Sequence, residues 1–206
     1  MAASMKWNIA LAMALQIAAL PAVHASNFAV TGTVTFNGNS GALPGGGTFG
    51  NSTYDTATGA LSSGKFTFPQ ATTTVPVSGF GNVDVTYQLS QTNTSTALIA
   101  PDGIAAMSAV QAKLQIISTS LPISITPCVF EPIPLEFAGT GSSAGLDLAD
   151  AAFTIPPAPV GNCGLVRDQI NNAIAGSNNS MQVQLAGDFT PPPANDTIFV
   201  NGFDGT

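Results

Sequence analysis

The sequence has few charged residues, and very few of these are basic. Its 206 residues include four Lys and Arg, 11 Asp and Glu and one His, giving a formal net charge of −7. Proteins that bind nucleic acid need clustered Lys and Arg side chains to displace the counterions of the phosphates. Four scattered cations form no such cluster, so we expect no nucleic acid partner. Because 45% of the residues are hydrophobic, we expect the chain to fold.

Histidine is missing from the whole chain after residue 24, and this absence excludes several kinds of chemistry. A Ser-His-Asp hydrolase needs a histidine base, and two cysteines without histidine do not complete a zinc site. The spacing of an EF-hand loop is absent as well. The glycine-rich stretch "LPGGGTFG" is not followed by Lys, so it does not predict a phosphate-binding loop. We therefore predict no catalytic residues, no bound metal and no cofactor.

The only long apolar run lies at the N-terminus. Lys6 precedes "WNIALAMALQIAAL", which is shorter than the roughly 20 residues that span a bilayer, and "VHA" follows. This pattern predicts a signal peptide over residues 1–25, cleaved between Ala25 and Ser26. We expect a secreted, periplasmic or cell-surface protein with no transmembrane segment in the mature chain. Cleavage would leave three cations, Lys65, Lys113 and Arg167, beside the 11 acidic residues.

Cysteine is also scarce: the two residues are Cys128 in "ITPCVFEPIPLEF" and Cys163 in "VGNCGLV". An exported chain meets an oxidising compartment, where paired cysteines form disulfides. A reactive thiolate would need a neighbouring base or cation, and Arg167, four residues after Cys163, has no histidine beside it. The residues therefore predict a Cys128–Cys163 disulfide, which would stabilise the fold by about 4 kcal/mol in the chain-entropy model.

Most of the remaining sequence alternates between apolar and polar residues, as half-buried strands do. In "NFAVTGTVTF", Phe28, Val30, Val34 and Phe36 fall on one face. "YDTATGAL" predicts a hairpin, and "NGNSGALPGGG" predicts a loop. "AAMSAVQAKLQIIS" suits helix or strand, and its flanking strands and β-branched end favour a strand. Further predicted strands are "TTTVPVSGF", "NVDVTYQLSQT", "LPISIT", "IPLEFAG", "LDLADAAFTI" and "SMQVQLAG".

One segment has the spacing of a helix. In "LVRDQINNAIAG", Val166, Ile170 and Ile174 recur every four residues before Gly176, while Gln169 is predicted to face outward. Many short strands with a single helix predict an all-β fold. We expect an antiparallel β-sandwich or flattened barrel with one short helix near the C-terminal end, formed by residues 26–190.

The end of the sequence, "DFTPPPANDTIFVNGFDGT", is predicted to be appended to this domain and not packed on it. Residues 191–206 would form a proline-rich spacer and a short tail. Two interpretations of the tail stay open. It is either a sorting signal or an additional edge strand in which "TIFVNGF" pairs with the sheet.

Four stretches carry a resemblance: "YDTATGALSSGKFTFP", "TPCVFEPIPLEF", "FTIPPAPVGNCG" and "INNAIAGSNNSMQVQL". With them, residues 48–185 resemble a secreted bacterial envelope β-domain of unknown function, of the two-cysteine type found notably in actinobacteria. The resemblance implies a fold and an envelope location, and it implies no catalytic residues. Separately, "IFVNGFDGT" is similar to the IF..GFE ending of exported gammaproteobacterial proteins, with Asp in place of the usual Glu.

The only local group of acidic residues consists of Glu131, Glu136, Asp147 and Asp150. Paired carboxylates could act as the acid and base of a glycosidase. Glu131 and Glu136 are five residues apart, however, and in one continuous strand they would face opposite sides. We interpret them as solvated strand residues. Asp147 and Asp150 could bind calcium, but the pattern favours an exposed acidic turn.

The aromatic residues Phe66, Phe68 and Phe80 could line a groove for a glycan or a lipid, although we expect them in the core. Taken together, the sequence favours an exported non-enzymatic β-module with a structural or binding role at the cell envelope or outside the cell. Its partner could be an envelope glycan, a lipid or another secreted protein. The alternatives are a carboxylate-dependent hydrolase of an extracellular polysaccharide and a carrier of a lipid or small apolar ligand.

Overall fold

The computed structural model describes residues 26–121, 123, 125 and 127–194. The predicted signal peptide and the tail from residue 195 on lie outside these residues, so the cleavage site is represented only by Ser26, which begins the first strand. The described strands are β1 (Ser26–Phe36), β2 (Asn39–Ala42), β3 (Gly47–Ser52), β4 (Tyr54–Asp55), β5 (Ala60–Thr67), β6 (Ala71–Val77), β7 (Gly81–Gln91), β8 (Ser95–Ile99), β9 (Ile104–Thr119), β10 (Val129–Ser142), β11 (Gly145–Ile155) and β12 (Gly176–Leu185). A 3-10 turn (Gly164–Val166) leads into helix α1 (Arg167–Ile174).

Eight of these strands form a closed antiparallel barrel in the order β10, β11, β12, β1, β3, β5, β8 and β9. Pairing of β9 with β10 closes the ring, from Val129 opposite Gln115 to Thr140 opposite Ile104. The short strands β2 and β4 pair with β1 and β5, while β6 and β7 extend the sheet beyond the barrel. This arrangement confirms the predicted all-β fold with one short helix near its C-terminal end.

The segment "AAMSAVQAKLQIIS", whose sequence suits either a helix or a strand, forms most of strand β9. It pairs with β7 up to Gln91 opposite Ala112, and with β8 from Ala97 opposite Met107. The alternation of buried and exposed residues breaks once, where Ala109 takes a φ of 59°. The side chain of Asn93 holds this bulge, because it donates to the Ala109 carbonyl (2.7 Å) and accepts from the Gln111 N–H (2.9 Å).

The "YDTATGAL" hairpin forms as predicted, between β4 and β5. The Asp55 carboxylate accepts from the Ala57 N–H (2.9 Å) and from the Thr58 hydroxyl (2.8 Å). These bonds, with that of Thr58 first, lower the pKa of Asp55. Gly59 takes a φ of 73°, a conformation that favours glycine, and ends the turn.

Apolar side chains from every barrel strand fill the interior. The predicted alternation of β1 is confirmed, because Val30, Val34 and Phe36 are buried. Phe66 and Phe68 also belong to the core, as expected, whereas Phe80 lies in the β6–β7 turn with 46% of its surface exposed. Burying one large apolar side chain stabilises a fold by about 1.5–3 kcal/mol. The largest fully buried side chains are Phe49, Leu61, Ile99, Met107, Leu114, Ile116, Phe130, Ile133, Leu146, Ile155, Leu185 and Phe189.

Helix α1 covers one end of the barrel with the predicted face. Val166, Ile170 and Ile174 are buried, and Ile170 and Ile174 line a small cavity against β6, β7 and β9. The prediction that Gln169 faces outward is wrong: it is half-buried, and its Oε1 has no hydrogen-bond partner among the described residues. A helix buries positions three residues apart as well as four apart, so Gln169 and Ala173 share the stripe.

The Cys128–Cys163 disulfide is confirmed, with an S–S distance of 1.95 Å. Cys128 directly precedes β10, and Cys163 directly precedes the 3-10 turn. Both cysteines are fully buried. Next to the bridge, the Cys163 N–H donates to the Pro127 carbonyl (2.7 Å), and the Ile116 N–H donates to the Cys128 carbonyl (2.8 Å). The bridge therefore joins the start of the helical segment to the sheet.

Two local predictions are wrong. The described residues of "LPISIT", namely Leu121, Ile123 and Ile125, do not lie in a strand. Ile125 is buried without being in a strand, since its apolar side chain fills the core regardless of backbone pairing. The predicted loop after β1 contains strand β2, which follows a tight turn at Asn37 and Gly38, with φ of 46° and 84°. Asn-Gly is a strong hairpin signal, and it was visible in the sequence.

The segment after β12 packs over the other end of the barrel. The interpretation of "DFTPPPANDTIFVNGFDGT" as unpacked is therefore wrong for its first residues, although the predicted domain of residues 26–190 already included Phe189. Phe189 is fully buried and packs against Phe28 and Tyr54, with ring centroids 4.9 and 5.3 Å away. The Tyr54 hydroxyl donates to the Thr190 carbonyl (2.7 Å). Pro192 is also buried, beside Gly59. The first prolines are therefore part of the domain.

We predict that Ile170→Ala lowers the free energy of unfolding by about 2–5 kcal/mol, because it truncates a buried side chain of the helix. Asn172→Ala, at an exposed position of the same helix, should change it by less than about 0.5 kcal/mol. Denaturant unfolding of both variants measures the difference. Equal losses would mean that the helix is not held by this face.

We predict that Phe189→Ala lowers the free energy of unfolding by about 3–5 kcal/mol, because it empties the aromatic contact at the barrel end. Truncation after Ala194 should leave the unfolding free energy nearly unchanged, since Phe189 and Pro192 are retained. Truncation after Thr190, which removes Pro192 but keeps Phe189, should lower the unfolding free energy by an amount between those of these two variants. A Phe189→Ala protein as stable as the full chain would contradict this packing.

Candidate functional site

The four acidic residues of the β10–β11 region are not arranged as the sequence predicts. Glu131 and Glu136 are both exposed on the outer face of β10, although five residues separate them. The pairing of β10 with β9 shifts register between Phe130 and Ile133. The bulge at this shift leaves two consecutive residues exposed and reverses the alternation. The prediction of opposite faces is therefore wrong, while their interpretation as exposed strand residues is right.

Asp150 is buried and accepts hydrogen bonds from the backbone. It does not lie in an exposed turn, contrary to the prediction. It is 7% exposed, and its carboxylate accepts from the Glu136 N–H (2.8 Å) and the Ala152 N–H (3.1 Å). The β10–β11 ladder ends nearby, at Ala138 opposite Ala149. A buried backbone N–H needs a hydrogen-bond acceptor. Where the ladder has ended, the Asp150 carboxylate supplies this acceptor in place of a carbonyl of the neighbouring strand.

The calcium alternative gains no support from this geometry. Asp147 is exposed while Asp150, three residues later, is buried, as the alternation of a strand places them. Across residues 26–121, 123, 125 and 127–194, no three His, Cys, Asp or Glu side chains come together in a way that could hold a metal ion.

Asp147 instead belongs to a shallow groove on the outer face of strands β10, β11, β12 and β1, with a volume of about 440 Å³. We call it the four-strand groove. The register of the four strands aligns their outward-facing side chains in two rows that run across the strands. The first row is Thr140, Asp147, Gln184 and Thr31, and the second is Ala138, Ala149, Gln182 and Thr33.

Two glycines give this groove its form. Gly32 on β1 and Gly139 on β10 lie between the two rows, at the two outer strands of the groove. A Cβ atom at Gly32 would overlap the Gln182 carbonyl, and one at Gly139 would overlap the Asp147 carbonyl. Glycine in a strand commonly marks a bend or the close approach of a second backbone. These glycines therefore allow the neighbouring strands to approach closely beneath the groove.

The polar side chains of the groove are all exposed. Within the described part of the chain, none of them hydrogen bonds to another group of the protein. They are the hydroxyls of Thr31, Thr33 and Thr140, the amides of Gln182 and Gln184, and the carboxylate of Asp147. The sequence predicted only Asp147 among them. The alternations "TGTVT" and "QVQL" show which residues face outward, but not which strands become neighbours.

The enclosed cavity beside helix α1 is too small for an apolar ligand. It is lined by apolar residues of β6, β7, β9 and α1, and its volume is about 10 Å³. This is about the space of one water molecule, whereas ligand pockets occupy roughly 300–1,000 Å³. A lipid at this place would have to displace the helix.

Among the described residues, no helix combines the length and the apolar composition that crossing a membrane requires. Comparison of the chain with protein-family models, curated proteins and solved structures finds no match. The resemblance to a two-cysteine envelope β-domain therefore stays a prediction.

Proposed function

We propose that this protein is an exported, non-enzymatic binding module that acts at the cell envelope or outside the cell, and that it binds a glycan in the four-strand groove. The observation that carries the proposal is the set of six exposed polar side chains in the two rows, four in the first and two in the second, which have no partner among the described residues. Hydroxyls, amides and a carboxylate at regular strand spacing match the many hydroxyl groups of a sugar chain.

The size and openness of the groove fit an extended polar ligand. Its volume of about 440 Å³ lies within the range of ligand sites. Each neutral hydrogen bond contributes about 0.5–1.5 kcal/mol, so a useful affinity needs several of them together. The two rows offer such a set on four neighbouring strands.

Hydrolysis finds less support than binding. A glycosidase needs two carboxyl groups placed on either side of the scissile bond. In the four-strand groove the lining includes one carboxylate, that of Asp147. Asp150 is engaged by two backbone N–H groups. The single carboxylate of this groove supplies neither the acid and base pair nor the nucleophile and acid pair, and the exposed Glu131 and Glu136 are not among its lining residues.

The proposed location is supported by two features. The N-terminal apolar run follows the pattern of a signal peptide. The Cys128–Cys163 bridge is of a kind that persists in oxidising compartments. An envelope or extracellular glycan would be the polar polymer available in such places.

We predict that the protein retains a polysaccharide from a panel of envelope and extracellular glycans, and that Gln182→Ala with Gln184→Ala weakens this binding about tenfold or more, since two hydrogen bonds are lost. Thr72→Ala, on the exposed face of β6, is the matched control and should bind normally. Affinity electrophoresis in gels that contain each glycan measures the effect.

The same panel tests the enzymatic alternative through product formation. Glu131→Gln and Asp147→Asn are the informative variants. Turnover of any polysaccharide that either change abolishes would contradict the non-enzymatic proposal. Glycan binding that the paired glutamine substitutions leave intact would contradict the assignment of the groove.

A further inference from the structure

Two of the three positive side chains in the described part of this acidic protein line the same groove. The described part of the chain contains three Lys and Arg residues. Arg167 forms a salt bridge with its neighbour Asp168 (2.7 Å). Lys65 and Lys113 form no salt bridge within the described residues, and both line one open groove with a volume of about 450 Å³. We call it the lysine groove.

The strand register places uncommitted hydroxyl groups between the two lysines. Thr67 on β5 lies opposite Ser90 on β7, and Ser90 lies opposite Lys113 on β9. Lys65 precedes Thr67 by two residues and so faces the same side of the sheet. Among the described residues, the Thr67 and Ser90 side chains make no hydrogen bonds. The groove therefore offers two cations with two hydroxyls between them.

The distance between Lys65 and Lys113 follows from the spacing of strands β5, β7 and β9. Neighbouring strands lie about 4.8 Å apart, and two residues advance about 6.7 Å, so the Cα atoms of Lys65 and Lys113 are about 12 Å apart. Each ammonium group stands on a flexible four-carbon stem. The lysines can bind two anionic groups of one extended ligand, or approach the hydroxyls between them.

One carboxylate of the surrounding strands lies near these charges. Glu131 on β10 is exposed at the bulge between Phe130 and Ile133, across from Lys113. Among the described residues, the two side chains form no salt bridge. Strands β3, β5 and β9 contain no Asp or Glu, and β7 contains only Asp84. Asp84 lies six residues from Ser90, which corresponds to about 20 Å along the strand. That separation exceeds the screening length of about 8 Å at physiological salt. The lining of the lysine groove therefore contains two cations and no carboxylate, on a protein of negative net charge.

We propose that the lysine groove binds an acidic polysaccharide through its sulfate or carboxylate groups. Two cations that lie apart in an open groove suit successive anionic groups along a chain, and the hydroxyls of Thr67 and Ser90 can bond the sugar between them. A small oxyanion is normally held by several convergent donors in one concavity. This inference concerns a second surface and does not depend on the four-strand groove.

Dextran sulfate and uncharged dextran of equal length provide matched probes for the full chain. We expect dextran sulfate to bind at low ionic strength, dextran not to bind at this site, and the affinity to fall as salt is added. Lys65→Gln and Lys113→Gln should each weaken binding about fivefold, the upper range for one exposed ion pair, and the double variant by more. Arg167→Gln changes the net charge equally and should have little effect.

Three results would overturn the proposal. The first is dextran sulfate binding that the double Lys65→Gln and Lys113→Gln variant retains in full. The second is an equal loss in Arg167→Gln, which would indicate attraction by net charge alone. The third is inorganic sulfate binding as tightly as dextran sulfate, which would assign the groove to a small oxyanion. Equal melting temperatures of the variants exclude a folding defect.

Discussion

The pairing of β9 with β10 is the interaction on which the rest of the structure depends. Strand β9 has partners along both edges, with β7 and β8 on one side and β10 on the other. Without the β9–β10 ladder, the eight strands would form an open sheet with exposed edges, which invite association with other chains. Closure gives every barrel strand an inner face for apolar residues and an outer face for polar ones. Both proposed binding surfaces lie on that outer face.

Closure also leaves two open ends, and the chain covers each of them differently. Helix α1 covers one end. The Cys128–Cys163 bridge links the segment just before this helix to the start of β10. Phe189 covers the other, packed against rings from β1 and β4. The interior is filled by apolar side chains, and the enclosed cavity beside helix α1 has a volume of only about 10 Å³. This packing supports the proposal that a ligand binds on the outer surface.

Local features could be predicted from the sequence, because they depend on neighbouring residues. The alternation of β1, the Asp55 turn, the disulfide and the buried face of α1 are examples. Errors arose where one residue changes the alternation: the bulge after Phe130 places Glu131 and Glu136 on one face. The burial of Gln169 was missed because only the four-residue spacing of the helix was counted.

The binding surfaces could not be predicted, because they depend on strand order and register. Thr31, Thr140 and Gln184 are far apart in sequence and become neighbours only when β1, β12, β11 and β10 pair. Lys65 and Lys113 meet in the same way, through β7. In both cases the residues are ordinary outward-facing strand residues until these particular strands pair.

Hydrogen exchange of the full chain, followed amide by amide, tests the closed barrel most directly. If β9–β10 pairing holds the barrel together, hydrogen-bonded amides of these two strands should exchange only through global unfolding. Their opening free energy should then equal the unfolding free energy from denaturant titration. A much lower opening free energy for β10, with β9 still protected by β7 and β8, would show that the barrel is open at this seam and would contradict the account.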